Sequence, residues 1–347
     1  MKNEDRSFFI AVRDFLAVYL PKQRCASANT IKSYRDTLNL FIDFLTHEKQ
    51  MPLDGITFAE YTYQNVMDFL DWLQSSRRCG SSTRNQRLFA LKSLVKYAGT
   101  RYPEWISLRF ELDKVPVQKT ENNLIEFIPE DALRAILEQP DPGTKCGMRD
   151  LNFMVLMYDT AARDREILDL TVGSLHLNQK YPSVHITGKA GRARIVPIMD
   201  KTVEHLRKYL SVFHPAENRR KEDYLFYTVS HGQKHQMSDD NVAKFMAKYA
   251  NMARTKCISV PERVHPHLFR HARAIHLYRG GMPLPLLSEF MGHASVQTTT
   301  IYAYADTEMK RLAIEKVADK STIPQVENDL PAWQNDEELI KRLYGLK

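Results

Sequence analysis

Tyr181-Pro182-Ser183-Val184-His185-Ile186-Thr187-Gly188-Lys189-Ala190-Gly191-Arg192-Ala193-Arg194-Ile195-Val196-Pro197-Ile198 is the stretch in which the spacing of apolar residues changes. Val184 and Ile186 alternate with other residues, Gly188 to Arg192 supply a turn, and Ile195-Val196-Pro197-Ile198 follows. Alternation interrupted by a glycine-bearing turn predicts a β-hairpin. On both sides the period is helical. Helices are predicted upstream over Pro129–Leu137 and from about Asp150 to Thr160. Downstream they are predicted over Thr202–Phe213, Asp239–Ala253, Leu268–Arg279, Leu284–Phe290 and Thr307–Val317. Pro324 and Pro331 then break the helical pattern before a short amphipathic helix at Asp336–Leu346, with Leu339, Ile340, Leu343 and Tyr344 on one side. The fold class is therefore mainly α with a small β-hairpin.

The first hundred residues read as four amphipathic helices. Phe8, Phe9, Val12, Phe15, Leu16 and Tyr19 recur at helical spacing, and Ser27-Ala28-Asn29-Thr30 offers caps for a second helix carrying Ile31, Tyr34, Leu38, Phe41, Ile42 and Leu45. A third helix covers Tyr63–Leu73. The fourth follows Gly80-Ser81-Ser82-Thr83, with Leu88, Leu91, Leu94 and Val95 inward. Arg84, Asn85, Arg87, Lys92 and Lys96 are assigned to its outer face, read either as a phosphate-contacting surface or as a solvated basic one. At Val115-Pro116-Val117-Gln118-Lys119-Thr120-Glu121-Asn122-Asn123 the periodicity fails, which places a linker at 115–124. The expected organisation is a helical domain at 1–114, a second domain at 125–320 and a tail at 321–347.

Bulk composition narrows the function less. The 347 residues are 43% hydrophobic and 26% charged, with a formal net charge of +7 that favours a polyanionic partner. Neither a bilayer-spanning apolar run nor the apolar core of a secretory signal is present, so a cytoplasmic location without membrane contact is expected. Cys25, Cys79, Cys146 and Cys257 are scattered without paired-ligand spacing, which argues against a disulfide framework and a cysteine zinc site.

Four signals remain, each weak alone. In Thr160-Ala161-Ala162-Arg163-Asp164-Arg165-Glu166 small residues interrupt a helix and an arginine opens the next turn. Lys189 lies at the hairpin tip. His265-Pro266-His267-Leu268-Phe269-Arg270-His271 opens a helix closed by Gly280-Gly281, and Met291-Gly292-His293 precedes Tyr302 by nine residues. Singly, such an arginine or lysine is usually a surface residue, His267 and His271 read as capping or core histidines, and a lone tyrosine is usually core. In order, however, Arg, hairpin Lys, His-x-x-Arg, Gly-His and Tyr resemble the active-site signature of the tyrosine recombinase (phage integrase) family. The resemblance covers nearly the whole chain: Ser27–Tyr34 and Thr83–Leu94 look like its helical, SAM-like core-binding domain, and about 125–318 like its catalytic domain.

That resemblance implies a C-shaped clamp on double-stranded DNA and a site-specific recombinase that acts as a homotetramer on two DNA sites, without metal or other cofactor. It implies Tyr302 as nucleophile, leaving a 3′-phosphotyrosyl link and a free 5′ hydroxyl. A phosphorane-like state gathers charge on its non-bridging oxygens, which the forked guanidiniums of Arg163 and Arg270 suit. By the same resemblance Lys189 protonates the leaving 5′ oxygen, His267 assists proton transfer at the nucleophile, His293 donates to the phosphate and Glu166 supports Arg163. Three positions depart from the family pattern: Ala161-Ala162 where Gly-x-Arg or Gly-Leu-Arg is frequent, Asp164-Arg165 in place of an apolar-plus-small pair, and Phe269 for a common leucine. Integration, excision or transposition of a mobile element is the expected role, with Xer-like resolution of chromosome or plasmid dimers as the alternative. Other classes stay open: a metal hydrolase using His267, His271 and His276, a non-catalytic DNA-binding accessory protein, and a type IB topoisomerase.

Overall fold

The computed structural model describes residues 3–120, 126–188, 191–293, 295–305, 311 and 337–346. The chain divides into two compact units, residues 1–123 and 124–347. The first is helical: α1 (Asn3–Asp14) runs into a π-helical turn at Phe15–Gln23, followed by α2 (Ala28–His47), α3 (Tyr63–Ser75), α4 (Ser81–Arg101) and α5 (Ile106–Asp113). The cap read at Ser27 forms, its hydroxyl accepting from Thr30 N–H at 3.2 Å, and Thr62 caps α3 the same way. Buried aromatic rings fill the core, with Phe41 edge-on to Phe69 and Tyr61, and Phe8 edge-on to Phe58.

One expectation for this unit is overturned. Arg84 and Asn85 do not lie on the outer face of α4: both are buried, Arg84 to 1% exposure. Arg84 donates to the carbonyl of Pro116 at 3.0 Å, while Asn85 donates to Gln118 O at 2.8 Å and accepts from Gln118 N–H at 3.0 Å. Lys92 donates to Val115 O, and Arg87 ties α4 to α2 through Ser33 O and Thr37. The physical reason is that α4 is covered on most of its circumference, and the chain at 115–118 passes over the face assigned to solvent. Val115 itself is buried in this core, so the stretch read as linker begins as part of the first unit. Lys96 is exposed as expected.

The second unit contains α6 (Glu130–Leu137), α7 (Lys145–Thr160), α8 (Asp164–Leu168), β1 (Leu175–His176), β2 (Ser183–Thr187), β3 (Ala193–Pro197), α9 (Asp200–Phe213), β4 (Tyr227–Ser230), β5 (Gln233–Gln236), α10 (Asp239–Arg254), α11 (Pro266–Arg279), α12 (Leu284–Met291) and α13 (Thr300–Ala305). The expected hairpin is β2–β3, antiparallel with Val184 opposite Val196 and Ile186 opposite Arg194, and β1 adds a third strand. Val184, Ile186 and Val196 turn inward onto the core of α7, α9 and α10. A second hairpin, β4–β5, was not anticipated; it turns at His231-Gly232, both with positive φ, as a two-residue hairpin turn requires. Helix α7 begins five residues before its predicted start, where Thr144 caps it by accepting from Gly147 N–H. The tail helix forms at Glu337–Leu343, and the helix expected at Thr307–Val317 lies outside the described residues except for Arg311.

Helix α7 ends in a strained residue. Ala161 sits in the left-handed region at φ 47°, ψ 28°, where a Cβ costs roughly 1–2 kcal/mol. Glycine removes that cost but loses about 0.4–1 kcal/mol through its freer unfolded chain. Ala161→Gly is therefore expected to stabilise the protein by about 0.5–1 kcal/mol, read as a higher urea midpoint with unchanged slope. A lower midpoint would show that the methyl's packing outweighs the strain.

Candidate active site

The turn after Ala161 places the first arginine. Arg163 caps α8, and Glu166 reaches back to it, accepting from Arg163 N–H at 3.0 Å and from its guanidinium at 2.8 Å. Arg194 from β3 donates to Oε2 of the same carboxylate at 2.7 Å, the oxygen that also accepts from Arg163 N–H. Burial alone would raise the Glu166 pKa, but the bonds and charge of Arg194, then of Arg163, hold it at about 2. Glu166 is thus an anionic brace between two arginines, and the Arg163 side chain remains 38% exposed. Arg194 is the residue that sequence reading missed; it sits in the quoted hairpin, facing Ile186 across the ladder.

Helix α11 contributes the second arginine. Pro266 sits at its first position and Arg270, one turn in, is 3% exposed. Its guanidinium donates to Ala161 O and, at 2.7 Å, to Met291 O, joining the ends of α7 and α12. Gly292 terminates α12 at φ +65°, and a Cβ there would lie 2.9 Å from the Arg194 guanidinium. Glycine is required both for the turn and for that approach. The next residue, His293, shares a 2.8 Å hydrogen bond through Nδ1 with the buried Thr299 hydroxyl.

Tyr302 on α13 is 1% exposed, packed with Ala161, Ala274, Ile275, Leu287 and Met291. Its hydroxyl is hydrogen bonded to His271 Nδ1 at 2.9 Å. Burial raises the phenol to about 12, while Arg270 and Arg163 pull it down. Burial and then Arg163 lower Arg270 to about 10, so it stays charged. His293 is lowered to about 4 by burial and by Arg270, Arg163 and Arg194; His271 is lowered to about 4 by burial and by His267, Arg270 and His265. Arg163, Arg194 and Arg270 against the single carboxylate of Glu166 make an anion-binding field beside a phenol.

Arg163, Glu166, Arg270, His293 and Tyr302 therefore converge. His267 is exposed at the start of α11, its ring 6.5 Å from that of His271. Lys189 lies outside the described residues. The histidines weighed for a metal hydrolase do not converge: His271 bonds Tyr302, and His276 bonds the Tyr158 hydroxyl at 2.8 Å. Among the described residues no group of three or more His, Cys, Asp or Glu is placed to hold a metal ion, and no helix is long and apolar enough to cross a membrane.

The match to known proteins agrees with this geometry. A model of the phage integrase family matches residues 126–309, and one of the phage integrase N-terminal SAM-like domain matches residues 12–101. The chain belongs to the phage integrase family. Among its relatives, it is 28% identical to a putative integrase/recombinase of Sinorhizobium fredii over 308 residues, 88% of this chain and 90% of the relative. It is 27% identical to the tyrosine recombinase XerC of Pelotomaculum thermopropionicum over 312 residues, 89% and 97% of the two chains. Its fold matches a XerH site-specific recombinase in a post-cleavage complex with difH DNA, with a TM-score of 0.65 and 21% identity over 92% of this chain and 87% of that one. It also matches the Tn1549 transposon integrase with transposon right-end DNA, with a TM-score of 0.63 and 16% identity over 88% and 99%. The protein is thus a tyrosine recombinase, an enzyme that acts on DNA.

The charge states at this integrase site have a stability consequence. Folded His271 and His293 stay neutral down to about pH 4, whereas unfolded imidazoles take up protons below about 6.5. Stability therefore falls as pH drops from 6.5 toward 4. From pH 7 to 5 the expected loss is about 1–2 kcal/mol per histidine, allowing for solvent screening. The Glu166 contribution persists through that window and is lost only as pH falls from about 4.5 toward 2. Urea unfolding at pH 7 and 5 measures the difference; equal stabilities would contradict neutral imidazoles at this site.

Proposed function

We propose that Tyr302 cleaves one DNA strand by attacking the scissile phosphorus, forming a 3′-phosphotyrosyl bond and releasing a 5′ hydroxyl. The supporting observation is the phenol buried in the field of Arg163 and Arg270, with Glu166, itself held by Arg194, bracing Arg163. The two guanidiniums carry the charge that builds on the non-bridging oxygens. His293 is held through Nδ1 by the Thr299 hydroxyl; we assign the proton of the neutral imidazole to Nε2, from which it donates to the phosphate, with Thr299 as donor to Nδ1. Lys189 at the hairpin tip protonates the leaving oxygen, and His267, exposed at the start of α11, assists proton transfer on the nucleophile's side. The covalent link conserves the phosphodiester energy until a second 5′ hydroxyl attacks, so strands exchange through a Holliday junction.

The biological role we assign is integration, excision or transposition of a mobile element; the relationship to XerC supports dimer resolution as the second reading. Strand exchange takes four copies of the chain on two duplex sites. The tail helix and the turn after it expose Leu343 (65%) and Tyr344 (74%), an apolar surface we assign to a neighbouring copy. Removing residues 333–347 is expected to leave half-site binding within about twofold and to reduce cooperative binding to a full site at least tenfold, a coupling of about 1.4 kcal/mol. Unchanged cooperativity in gel-shift titrations would return the tail to its own subunit. The reading as a whole is tested by trapping protein on a nicked duplex selected from a random-sequence pool: covalent adducts at a 3′ phosphate support it, and cleavage without adducts refutes it.

A further inference from the structure

The mechanism leaves one contact unused, the hydrogen bond between Tyr302 Oη and His271 Nδ1. We infer that His271 is a catalytic residue, its Nδ1 taking the Tyr302 proton as the phenol oxygen attacks phosphorus and returning it when the phosphotyrosine is resolved. The inference rests on Tyr302 being the nucleophile.

Geometry carries the assignment. The two atoms are 2.9 Å apart, the distance a general base needs, and Tyr302 is 1% exposed, so bulk water has little access to the phenol proton. The direction of the bond follows from acidity. A phenol is a far stronger proton donor than a neutral imidazole N–H, so Tyr302 donates and Nδ1 offers its lone pair. Burial and the neighbouring His267, Arg270 and His265 keep that imidazole uncharged, so the lone pair is available at neutral pH. His267, one turn earlier on α11, is exposed, and its ring contacts are with His265 and His271.

The position of His271 next to Arg270 couples the base to the substrate. Without DNA the phenol is held up at about 12 and the imidazole down at about 4, a pair poorly matched for proton transfer. A phosphodiester seated on Arg163 and Arg270 brings negative charge that offsets the arginines and raises the basicity of His271. The nucleophile is thus activated when a phosphate is in place. In the step, the Oη–H bond breaks and N–H forms on Nδ1, while Oη–P forms and P–O5′ breaks. The 5′ oxygen takes its proton from the enzyme's acid, Lys189 in the reading above. In rejoining, the 5′ hydroxyl gives its proton back to that deprotonated acid as O5′–P forms, Oη–P breaks, and the imidazolium returns its proton to Oη.

The test uses the full-length protein and a nicked duplex with either the normal scissile phosphodiester or its 5′-bridging phosphorothiolate, whose thiolate leaves without an acid. His271→Asn presents an amide oxygen near the Nδ1 position, able to accept the phenol bond but not the proton. It is expected to bind DNA like the wild type and form adducts about 10²–10⁴-fold more slowly on both duplexes. Lys189→Ala should recover on the sulfur duplex. His271→Ala, included in case Asn perturbs folding, should gain rate on addition of imidazole. Wild-type cleavage by His271→Asn would assign the proton to the phosphate and overturn the inference. A His271→Asn defect confined to the oxygen duplex would also overturn it, by placing His271 on the leaving-group side. Tyr302→Phe is run alongside: adducts from that variant would refute the nucleophile reading itself, whereas their absence leaves the His271 result to stand alone.

Discussion

Arg270→Lys is expected to slow DNA cleavage by about 10²-fold or more, the scale of removing one donor from a transition-state anion site. The side chain is 3% exposed and bridges Ala161 O and Met291 O, so two of its N–H donors hold the ends of α7 and α12 while the rest remain for a phosphate. A lysine ammonium keeps the charge but not the fork. It can serve the carbonyls or the phosphate, and one buried carbonyl left unbonded costs about 1–3 kcal/mol in addition. Single-turnover adduct formation, with half-site binding measured in parallel, separates the two effects. Arg163→Lys should show a chemical defect of similar size with less loss of stability, because the Arg163 side chain is 38% exposed. An unchanged cleavage rate would remove Arg270 from the chemistry and leave it a structural bolt.

Tyr302→Phe is expected to abolish covalent adducts while half-site affinity changes by less than about twofold. Phenylalanine retains the ring among Ala274, Ile275, Leu287 and Met291, so α13 keeps its packing. The bond to His271 is lost, which lowers stability by about 1 kcal/mol. The loss is complete because, in the proposed mechanism, the phenol oxygen is the atom that bonds to phosphorus. Residual adducts would place the attacking group elsewhere.

How much of this was legible depended on the kind of signal. The β2–β3 hairpin and the helices of the second unit were readable because alternation and helical period survive in Val184, Ile186 and Val196 and in the core faces of α7 and α11. The residues now seen together were found through their order along the chain, a family pattern; composition and periodicity alone left Arg163 and Tyr302 as a surface arginine and a core tyrosine. Tyr302 is in fact both buried and reactive in this account, a combination that no hydrophobicity pattern signals. Arg84 and Asn85 misled because polarity was equated with exposure, whereas carbonyls of Pro116 and Gln118 meet them inside the fold. Such contacts span 32 and 33 residues, beyond any local window. Arg194 escaped for a related reason: its partner Glu166 is 28 residues away, across the sheet. A trace of it in the sequence was Gly292, whose missing side chain makes room for that guanidinium.

The central claim is that Tyr302 becomes joined to DNA, and peptide mapping of the trapped adduct tests it most directly. Wild-type protein is captured on a nicked duplex, digested, and the DNA-bound peptide sequenced by mass spectrometry. The account predicts one modified residue, Tyr302, carrying the nucleotide through its 3′ phosphate. Attachment through a 5′ phosphate, or a DNA-linked peptide lacking Tyr302, would contradict it.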